Sequence, residues 1–172
     1  MGKRSLLFFL FFCGITTGYG QKSLERLLDQ YNTRSVPYIS VEALKQKQLH
    51  GEVIVLDARE RREYDVSHIP SSLFVGYNTF SSDSVSGLIQ DKNATLVVYC
   101  SLGIRSEEIG EKLQKAGFMD VYNLYGGIFE WKNTGYEVLD STEKPTENVH
   151  ICAKPWGKWL KQGVKVTDNQ AQ

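Results

Sequence analysis

The chain has 172 residues, and its 20 Lys and Arg residues are balanced by 20 Asp and Glu residues, so the formal net charge is zero. With this length and 41% hydrophobic residues, the chain can bury one core of ordinary size, and we expect a single globular domain. The balanced charge lacks the basic excess of a nucleic-acid binder, so we expect no nucleic-acid partner.

The first twenty residues have the pattern of an export signal. Two basic residues precede the apolar run 6–12, and small residues follow it up to Gly20. The run is shorter than the roughly 20 residues of a membrane-spanning helix, so an uncleaved anchor is the weaker alternative. We predict cleavage after Gly20, a periplasmic location and no stable membrane span in the mature chain. Lipidation at Cys13 is disfavoured because Phe12 stands where a lipobox has a small residue.

Helical and extended segments are predicted in the first third of the chain. Residues 23–31 place three leucines and a tyrosine on one helical face, with Ser23 as the N-cap. Residues 37–40 are predicted to be extended, and Ser40 opens a second helix. Residues 53–56 form a continuous apolar run of β-branched character, which is typical of a strand buried on both faces.

Strands and helices alternate through the rest of the chain up to residue 139. This alternation predicts an α/β fold in which a parallel sheet is covered by helices on both faces. In such sheets, ligands bind at the carboxyl ends of the strands. The predicted elements are a short helix at 60–66, a strand at 73–75, a loop or irregular helix at 81–86, a strand at 96–99, a helix at 106–116, a strand at 121–124 and a short helix at 128–131.

Residues 100–106, between a predicted strand and a predicted helix, carry the strongest functional signal. Cys100 lies where backbone N–H groups and a helix N-terminus converge, and both favour a thiolate over a thiol. Gly103 permits unusual backbone conformations, Arg105 supplies a permanent cation, and Ser106 is a favoured N-cap. The segment therefore predicts cysteine chemistry on an anionic sulfur or phosphorus species, with a buried structural thiol as the alternative.

The C-terminal segment 140–172 is polar apart from a tryptophan-rich stretch. Trp156, Trp159 and Leu160 are expected to form one face of a helical turn that packs on the domain, and an exposed aromatic patch for a partner or a membrane surface is the alternative. Cys152 is expected to be an incidental or buried thiol. Its pairing with Cys100, as a resting disulfide or as a resolving couple, is the open alternative.

Four segments follow one another along the chain in a recognisable order. They are residues 53–59, which end in Asp57-Ala58-Arg59; residues 63–70, which contain His68-Ile69-Pro70; the cysteine loop within residues 97–106; and residues 124–135, which contain Gly126-Gly127. Together they resemble a single-domain rhodanese, a sulfurtransferase module, over about residues 51–139. The resemblance implies a rhodanese-like fold with a central parallel sheet of about five strands. Residues 21–50 then supply an N-terminal helix and the first strand and helix of the domain, and residues 140–172 form an extension.

The resemblance implies a reaction at Cys100. The thiolate takes a sulfane sulfur from a donor such as thiosulfate or a persulfide, becomes a persulfide, and passes the sulfur to a thiol or cyanide-type acceptor. The partners are then a small-molecule donor and a thiol acceptor, with a protein sulfur acceptor as a further candidate, and no cofactor or metal is expected. Backbone N–H groups would surround the persulfide as an anion nest. The residues of this nest are Ser101, Leu102, Gly103, Ile104, Arg105 and Ser106.

Charged residues near the loop have competing interpretations. Arg105 attracts and orients an anionic donor at the loop rim, which we favour, or it pairs with a surface carboxylate. Asp57 and Arg59 match the family's motif and are expected to brace the floor of the loop by hydrogen bonds; a helix cap and a solvated cation are the alternative. Glu63 and His68 match family positions that are expected to be structural.

Three alternative functions are weaker. Phosphatases related to the rhodanese fold need a longer loop between cysteine and arginine than the four residues that separate Cys100 from Arg105. An exported thiol-redox or persulfide-carrier module would use Cys100 and Cys152 together. A non-catalytic adaptor is disfavoured by the intact cysteine.

Overall fold

The computed structural model describes residues 17–168, with side chains from Leu24 onward. Most of the predicted export signal, residues 1–16, lies outside the described residues, and its cleavage stays a prediction. No helix within residues 17–168 has the length and apolar character needed to cross a bilayer. The helices are α1 (Thr17–Tyr31), α2 (Val41–His50), α3 (Arg61–Val66), α4 (Ser82–Leu88), α5 (Arg105–Lys115) and α6 (Gly127–Asn133), and a 3₁₀ helix spans Lys154–Trp159. The strands are β1 (Tyr38–Ile39), β2 (Ile54–Asp57), β3 (Ser72–Phe74), β4 (Thr95–Tyr99), β5 (Asp120–Leu124), β6 (Val138–Leu139), β7 (Pro145–Thr146), β8 (Asn148–His150) and β9 (Val164–Val166).

A five-stranded parallel sheet forms the centre of the fold, as the alternation of elements predicts. The strand order is β1-β5-β4-β2-β3, and all neighbouring strands are parallel. The chain leaves the sheet at the β3 edge and returns to its centre in β4. In open α/β sheets, the carboxyl end of a strand at such a reversal is a common place for a ligand site.

Side chains that alternate along the strands divide the core into two layers. In β4, Val97 and Tyr99 belong to one layer, and Leu96 and Val98 belong to the other. The first layer is packed by α1, α2 and α6, and the second by α4 and α5. These four β4 side chains are fully buried, and only Thr95 at the start of the strand is partly exposed. The continuous apolar run in this strand therefore reflects helices on both faces of the sheet, which confirms the predicted fold class.

Helix starts follow the predicted caps in some places and not in others. Ser40 is the N-cap of α2, and its hydroxyl oxygen accepts a hydrogen bond from the Ala43 N–H at 3.2 Å. Ser81 caps α4, so the segment predicted as a loop or irregular helix is a regular helix. The prediction for α1 is wrong at its start, because the helix begins at Thr17 and Ser23 lies inside it.

The C-terminal extension packs on the α1 side of the sheet, and the chain from residue 138 onward contains strands that the sequence does not predict. β6 pairs with β7 in antiparallel fashion, and β8 pairs with β9 in parallel fashion. Strands of two or three residues in a polar segment carry no alternating pattern. Val149, Ile151 and Leu160 are buried in the same cluster as the α1 leucines, and Trp156 contacts Tyr31 edge-on. The tryptophan-rich turn therefore packs on the domain, as expected.

Candidate active site

Cys100 is the first residue after β4 and opens the loop that leads into α5. The residue is only 2% exposed, and its Sγ accepts a hydrogen bond from the Gly103 N–H at 3.1 Å. Burial raises the pKa of the Cys100 thiol, but the positive charge of Arg105 and hydrogen bonds from Ser106 and the Leu102 backbone outweigh it, so the pKa lies below its ordinary value. A larger fraction of Cys100 is therefore present as thiolate at neutral pH than for an ordinary cysteine.

Gly103 gives the loop the conformation that brings its N–H to the sulfur. Its φ of +105° is a backbone conformation that residues with a side chain rarely adopt. Its carbonyl oxygen accepts hydrogen bonds from the side-chain amides of Asn123 and Asn32, both at 2.8 Å. Asn123 comes from β5 and Asn32 follows α1, so two distant segments hold this peptide in place.

Ser106 lies in the first turn of α5, because Ile104 occupies the N-cap position. The predicted N-cap role of Ser106 is therefore wrong. Its hydroxyl oxygen lies 2.7 Å from Asn123 Oδ1 and 3.5 Å from Cys100 Sγ. One hydroxyl proton serves one acceptor well, so the Ser106 hydroxyl donates either to Asn123 Oδ1 or to the Cys100 sulfur. Rotation of the hydroxyl would give a negatively charged sulfur a second donor.

Arg105 forms a bidentate ion pair with Glu63. Nη1 donates to Oε2 at 2.7 Å, and Nη2 donates to Oε1 at 2.8 Å. The Ser101 hydroxyl joins the pair, 3.1 Å from Arg105 Nη2 and 3.3 Å from Glu63 Oε1. Arg105 therefore pairs with a carboxylate, as the alternative states, but the Glu63 side chain is 1% exposed, so this carboxylate is buried rather than at the surface. Burial raises the pKa of Glu63, but the Arg105 guanidinium lowers it to about 2.

Glu63 and His68, both expected to be structural, have different surroundings. Glu63 binds Arg105 at the edge of the cysteine loop, whereas His68 is buried and stacks on the Tyr64 ring at 4.1 Å. His68 Nε2 also lies 3.2 Å from a Glu143 carboxylate oxygen. His68 is therefore a packed and hydrogen-bonded residue outside the site, and Glu63 is part of the site. Orientation of an anionic donor by Arg105 stays a prediction.

Asp57 and Arg59 form a fully buried ion pair behind the end of β4. Arg59 Nη2 lies 2.6 Å from both Asp57 Oδ2 and the Ser67 carbonyl oxygen. The Tyr99 hydroxyl donates to Asp57. No hydrogen bond within the described residues joins the pair to residues 101–106, so it braces Tyr99 and the Ser67 turn rather than the loop floor. The alternative of a solvated cation is wrong, because Arg59 has no exposed surface.

The turn before α6 supports the loop from its other side. Gly127 has a φ of +55°, and a Cβ there would come within 2.3 Å of the Cys100 carbonyl oxygen. The Ile128 N–H donates to that oxygen at 3.0 Å, and the Phe129 N–H donates to the Ser101 oxygen at 3.2 Å. Glycine is required at this close approach, and the start of α6 anchors the loop backbone.

A small pocket of about 140 Å³ opens over Cys100. Drug-sized ligands need roughly 300–1,000 Å³, so this pocket suits a small sulfur compound or the end of a longer molecule. Cavities of about 270 and 390 Å³ elsewhere in the described chain do not include Cys100. Besides Cys100, the pocket is lined by Ser101, Leu102, Ile104, Arg105, Cys152 and Trp156. The loop residues are neighbours in the chain, whereas Cys152 and Trp156 come from the C-terminal extension and reach the pocket only through the fold.

Several residues of the site are absent from the set that the sequence predicts. Asn123 could be found from the sequence, because it is an amide within the otherwise apolar run 121–124 and a buried polar group needs partners. Asn32 lies in a segment without such a pattern, and only the folded chain brings it to the loop. Cys152 was named in the sequence as a possible partner of Cys100, and the structure places it in the same pocket.

A parallel sheet with a cysteine loop at the carboxyl end of its central strand defines a rhodanese-fold protein. Residues 40–134 match the family model described as "Rhodanese-like domain". This match covers more than half of the chain, which therefore belongs to the rhodanese-like domain family and to a fold class that includes enzymes.

Relatives and solved structures agree with this family. A tRNA uridine(34) hydroxylase of Aster yellows witches'-broom phytoplasma is 33% identical over 113 residues, which are 63% of this chain and 36% of that protein. The protein of the same name from Erwinia tasmaniensis is 34% identical over 89 residues, or 50% of this chain and 25% of that protein. The chain thus spans only about a quarter to a third of these curated relatives.

Two solved structures show the same fold at low sequence identity. Thiosulfate sulfurtransferase from Pseudomonas aeruginosa aligns with a TM-score of 0.59 and 21% identity, covering 82% of this chain and 26% of that one. A rhodanese-like domain from Anabaena aligns with a TM-score of 0.54 and 24% identity, covering 60% of this chain and 79% of that one.

Proposed function

We propose that the protein is a sulfurtransferase that moves a sulfane sulfur from thiosulfate or a persulfide to a thiol or cyanide-type acceptor. The observation that supports this most strongly is the setting of the Cys100 thiol. Its pKa is lowered, its sulfur accepts the Gly103 N–H, and it faces a small pocket at the end of the central strand. A thiolate in this position is a nucleophile for divalent sulfur.

The reaction follows from the nucleophilicity of this thiolate. Cys100 Sγ attacks the outer sulfur of the donor, the bond between the two donor sulfurs breaks, and the leaving group departs with the electron pair as sulfite or a thiolate. The Gly103 N–H and the charge of Arg105 stabilise the resulting persulfide anion. A nucleophilic acceptor then attacks the outer sulfur and releases the Cys100 thiolate, so the cycle consumes no oxidant.

Two features favour sulfur over phosphate as the reacting group. Only four residues separate Cys100 from Arg105, and both terminal nitrogens of Arg105 bind Glu63. Enzymes that cleave phosphate esters use free cationic groups to bind the phosphate oxygens. The phosphatase alternative therefore has less support.

Mass spectrometry after incubation of the full chain with thiosulfate tests the central step. We expect the Cys100 peptide to gain one sulfur atom and the protein to release thiocyanate when cyanide is added. Cys100→Ser should lose both, and Leu88→Ala, at an exposed helix position remote from the pocket, should keep both. Hydrolysis of an aryl phosphate through Cys100, without any sulfur gain, would overturn the proposal.

We also propose that the protein is exported and acts in the periplasm, with small sulfur compounds as donors and a small or protein thiol as the acceptor. The support is the pattern of residues 1–20. Intact-mass measurement on protein from the periplasmic fraction should show a chain that begins at Gln21. A full-length chain confined to the cytoplasm would contradict this proposal.

A further inference from the structure

Cys152 is a second thiol at the pocket over Cys100, and the sulfur transfer described above does not use it. It comes from the C-terminal extension, beyond the matched residues 40–134, and it lines the same pocket of about 140 Å³. Cys100 is only 2% exposed, whereas Cys152 is partly exposed. Of the two thiols, Cys152 is therefore the one that a bulky molecule can reach.

The backbone at Cys152 has an unusual conformation and is hydrogen-bonded to the buried His150 side chain. Its φ of +61° is in the left-handed region, which residues with a β-carbon rarely adopt. The Cys152 N–H donates to His150 Nδ1 at 3.1 Å, and His150 Nε2 lies 3.0 Å from Asp168 Oδ1. His150 is fully buried, whereas the Asp168 side chain is 52% exposed, so the imidazole links the Cys152 turn to a carboxylate at the surface. Strain that the surroundings maintain in this way is concentrated at functional sites.

The two thiols also differ in acidity. Burial and the negative charge of Glu63 raise the pKa of Cys152, whereas the pKa of Cys100 is lowered. In exchange reactions between sulfur atoms, the thiol of lower pKa is the better leaving group. A sulfur atom attacked by Cys152 would therefore separate readily from Cys100.

We propose that Cys152 is an internal sulfur acceptor to which Cys100 passes its sulfur, an inference that rests on the proposed function. Cys152 Sγ attacks the outer sulfur of the Cys100 persulfide. A bond forms between Cys152 Sγ and that sulfur, the bond from that sulfur to Cys100 Sγ breaks, and Cys100 leaves with the electron pair as a thiolate. The proton of the Cys152 thiol passes to the transferred sulfur, so the step needs no oxidant or reductant.

This relay carries the sulfur from a closed position to an accessible one. A pocket of about 140 Å³ admits a small donor, but a peptide or protein cannot bring its thiol to a residue that is 2% exposed. A persulfide on Cys152 can be attacked from outside the pocket. The acceptor class is therefore a cysteine thiol of a peptide or protein.

Labelled sulfur followed by peptide mass spectrometry tests the relay in the full chain. Thiosulfate with an isotopically labelled outer sulfur is added, and persulfides are trapped by alkylation before digestion. We expect label on both cysteines in the native protein, on Cys100 alone in Cys152→Ser, and on neither in Cys100→Ser. Ala153→Ser changes the adjacent exposed residue and serves as the control, with label on both cysteines.

The outcomes distinguish the relay from the proposed function. Label that reaches Cys100 but never Cys152 would overturn the relay alone, and native protein without label on Cys100 would overturn both. Label on Cys152 in Cys100→Ser would show direct loading from the donor and would overturn the relay. A disulfide between Cys100 and Cys152 with release of hydrosulfide would show attack on the inner sulfur, and it would also overturn the relay.

A second test of the relay compares sulfur transfer to a large acceptor with transfer to a small one. Transfer rates to a cysteine-containing peptide and to cyanide are compared in the native protein and in Cys152→Ser. Because cyanide is small enough to reach Cys100 directly, we expect the ratio of peptide rate to cyanide rate to fall about tenfold in the variant. An unchanged ratio would contradict the relay.

Discussion

Two carboxylate–guanidinium pairs lie near the cysteine loop, and they hold different parts of the protein. Asp57 and Arg59 are two residues apart in the chain, and both side chains are completely buried. Glu63 and Arg105 are 42 residues apart, and the Arg105 side chain is 18% exposed at the pocket. The first pair fixes a strand end to a nearby turn, whereas the second joins α3 to the start of α5 beside the thiol.

The Asp57–Arg59 pair contributes to the position of Cys100, whereas the Glu63–Arg105 pair contributes to the acidity of its thiol. The hydrogen bonds of the Asp57–Arg59 pair go to Tyr99 and the Ser67 turn, where the pocket does not reach. The Glu63–Arg105 pair lies next to the sulfur, and the charge of Arg105 lowers the pKa of Cys100. Changes in the first pair should therefore act on folding, and changes in the second should act on the reactivity of the thiol.

Removal of Arg59 should have the largest effect. Arg59→Met leaves the Asp57 carboxylate buried without its cation, and loss of one partner of a buried ion pair costs about 3–5 kcal/mol of stability. Urea unfolding of the full chain measures this loss. Arg61→Gln is the matched control, because the Arg61–Asp65 pair is largely exposed and exposed pairs contribute about 1 kcal/mol or less. Equal losses in the two variants would show that burial does not distinguish these pairs.

Parts of the fold that depend on local signals could be predicted from the sequence. The apolar run of β4 and the Ser40 cap of α2 are such signals, and the structure confirms both. The short strands β6 to β9 could not be predicted, because strands of two or three residues depend on their pairing partners rather than on a local pattern. The start of α5 also differs from the prediction, because the helix begins at Arg105 and the Ser106 hydroxyl contacts Asn123 on a neighbouring strand.

The candidate site could be predicted only where its residues are neighbours in the chain. The residues from Cys100 to Arg105 form one loop, so spacing and residue type were enough to single them out. Glu63 and Cys152 drew attention in the sequence, but residue spacing does not encode contact between distant segments. The Glu63–Arg105 ion pair and the shared pocket of the two cysteines became visible only in the folded chain.

Acid should weaken the protein through the Glu63–Arg105 pair, with the second-largest effect. The pKa of Glu63 is about 2 in the folded protein, below its ordinary 4.5. A carboxyl with a lowered pKa stabilises the fold above its unfolded pKa, and this contribution is lost as the pH falls from about 4.5 toward 2. The contribution at neutral pH is about 3 kcal/mol.

The free energy of unfolding, measured at a series of pH values across this range, checks the prediction. Glu63→Gln removes the titrating group, so its stability should decline less between about pH 5 and pH 2 than that of the native chain. Parallel declines in the two proteins would mean that other carboxyl groups account for the acid sensitivity.

Reactivity of the thiol should respond to the two members of the Glu63–Arg105 pair in opposite directions, with the smallest effect of the three. Arg105→Gln removes the cation that lowers the pKa of Cys100 and leaves the negative Glu63 nearby, so the thiolate fraction at neutral pH should fall. Glu63→Gln leaves Arg105 without its counter-charge, so the pKa of Cys100 should drop further and the thiolate fraction should rise.

The rate of Cys100 alkylation by iodoacetamide, measured against pH, reports the thiolate fraction directly. At neutral pH we expect about a threefold decrease in Arg105→Gln and a smaller increase in Glu63→Gln, both relative to the native chain. The alkylated peptide is identified by mass spectrometry, so that Cys152 does not contribute, and Arg61→Gln again serves as the exposed-charge control. If both variants lowered the rate, the pair would act by holding the loop in shape, a structural role like the one that Asp57 and Arg59 have at the Ser67 turn.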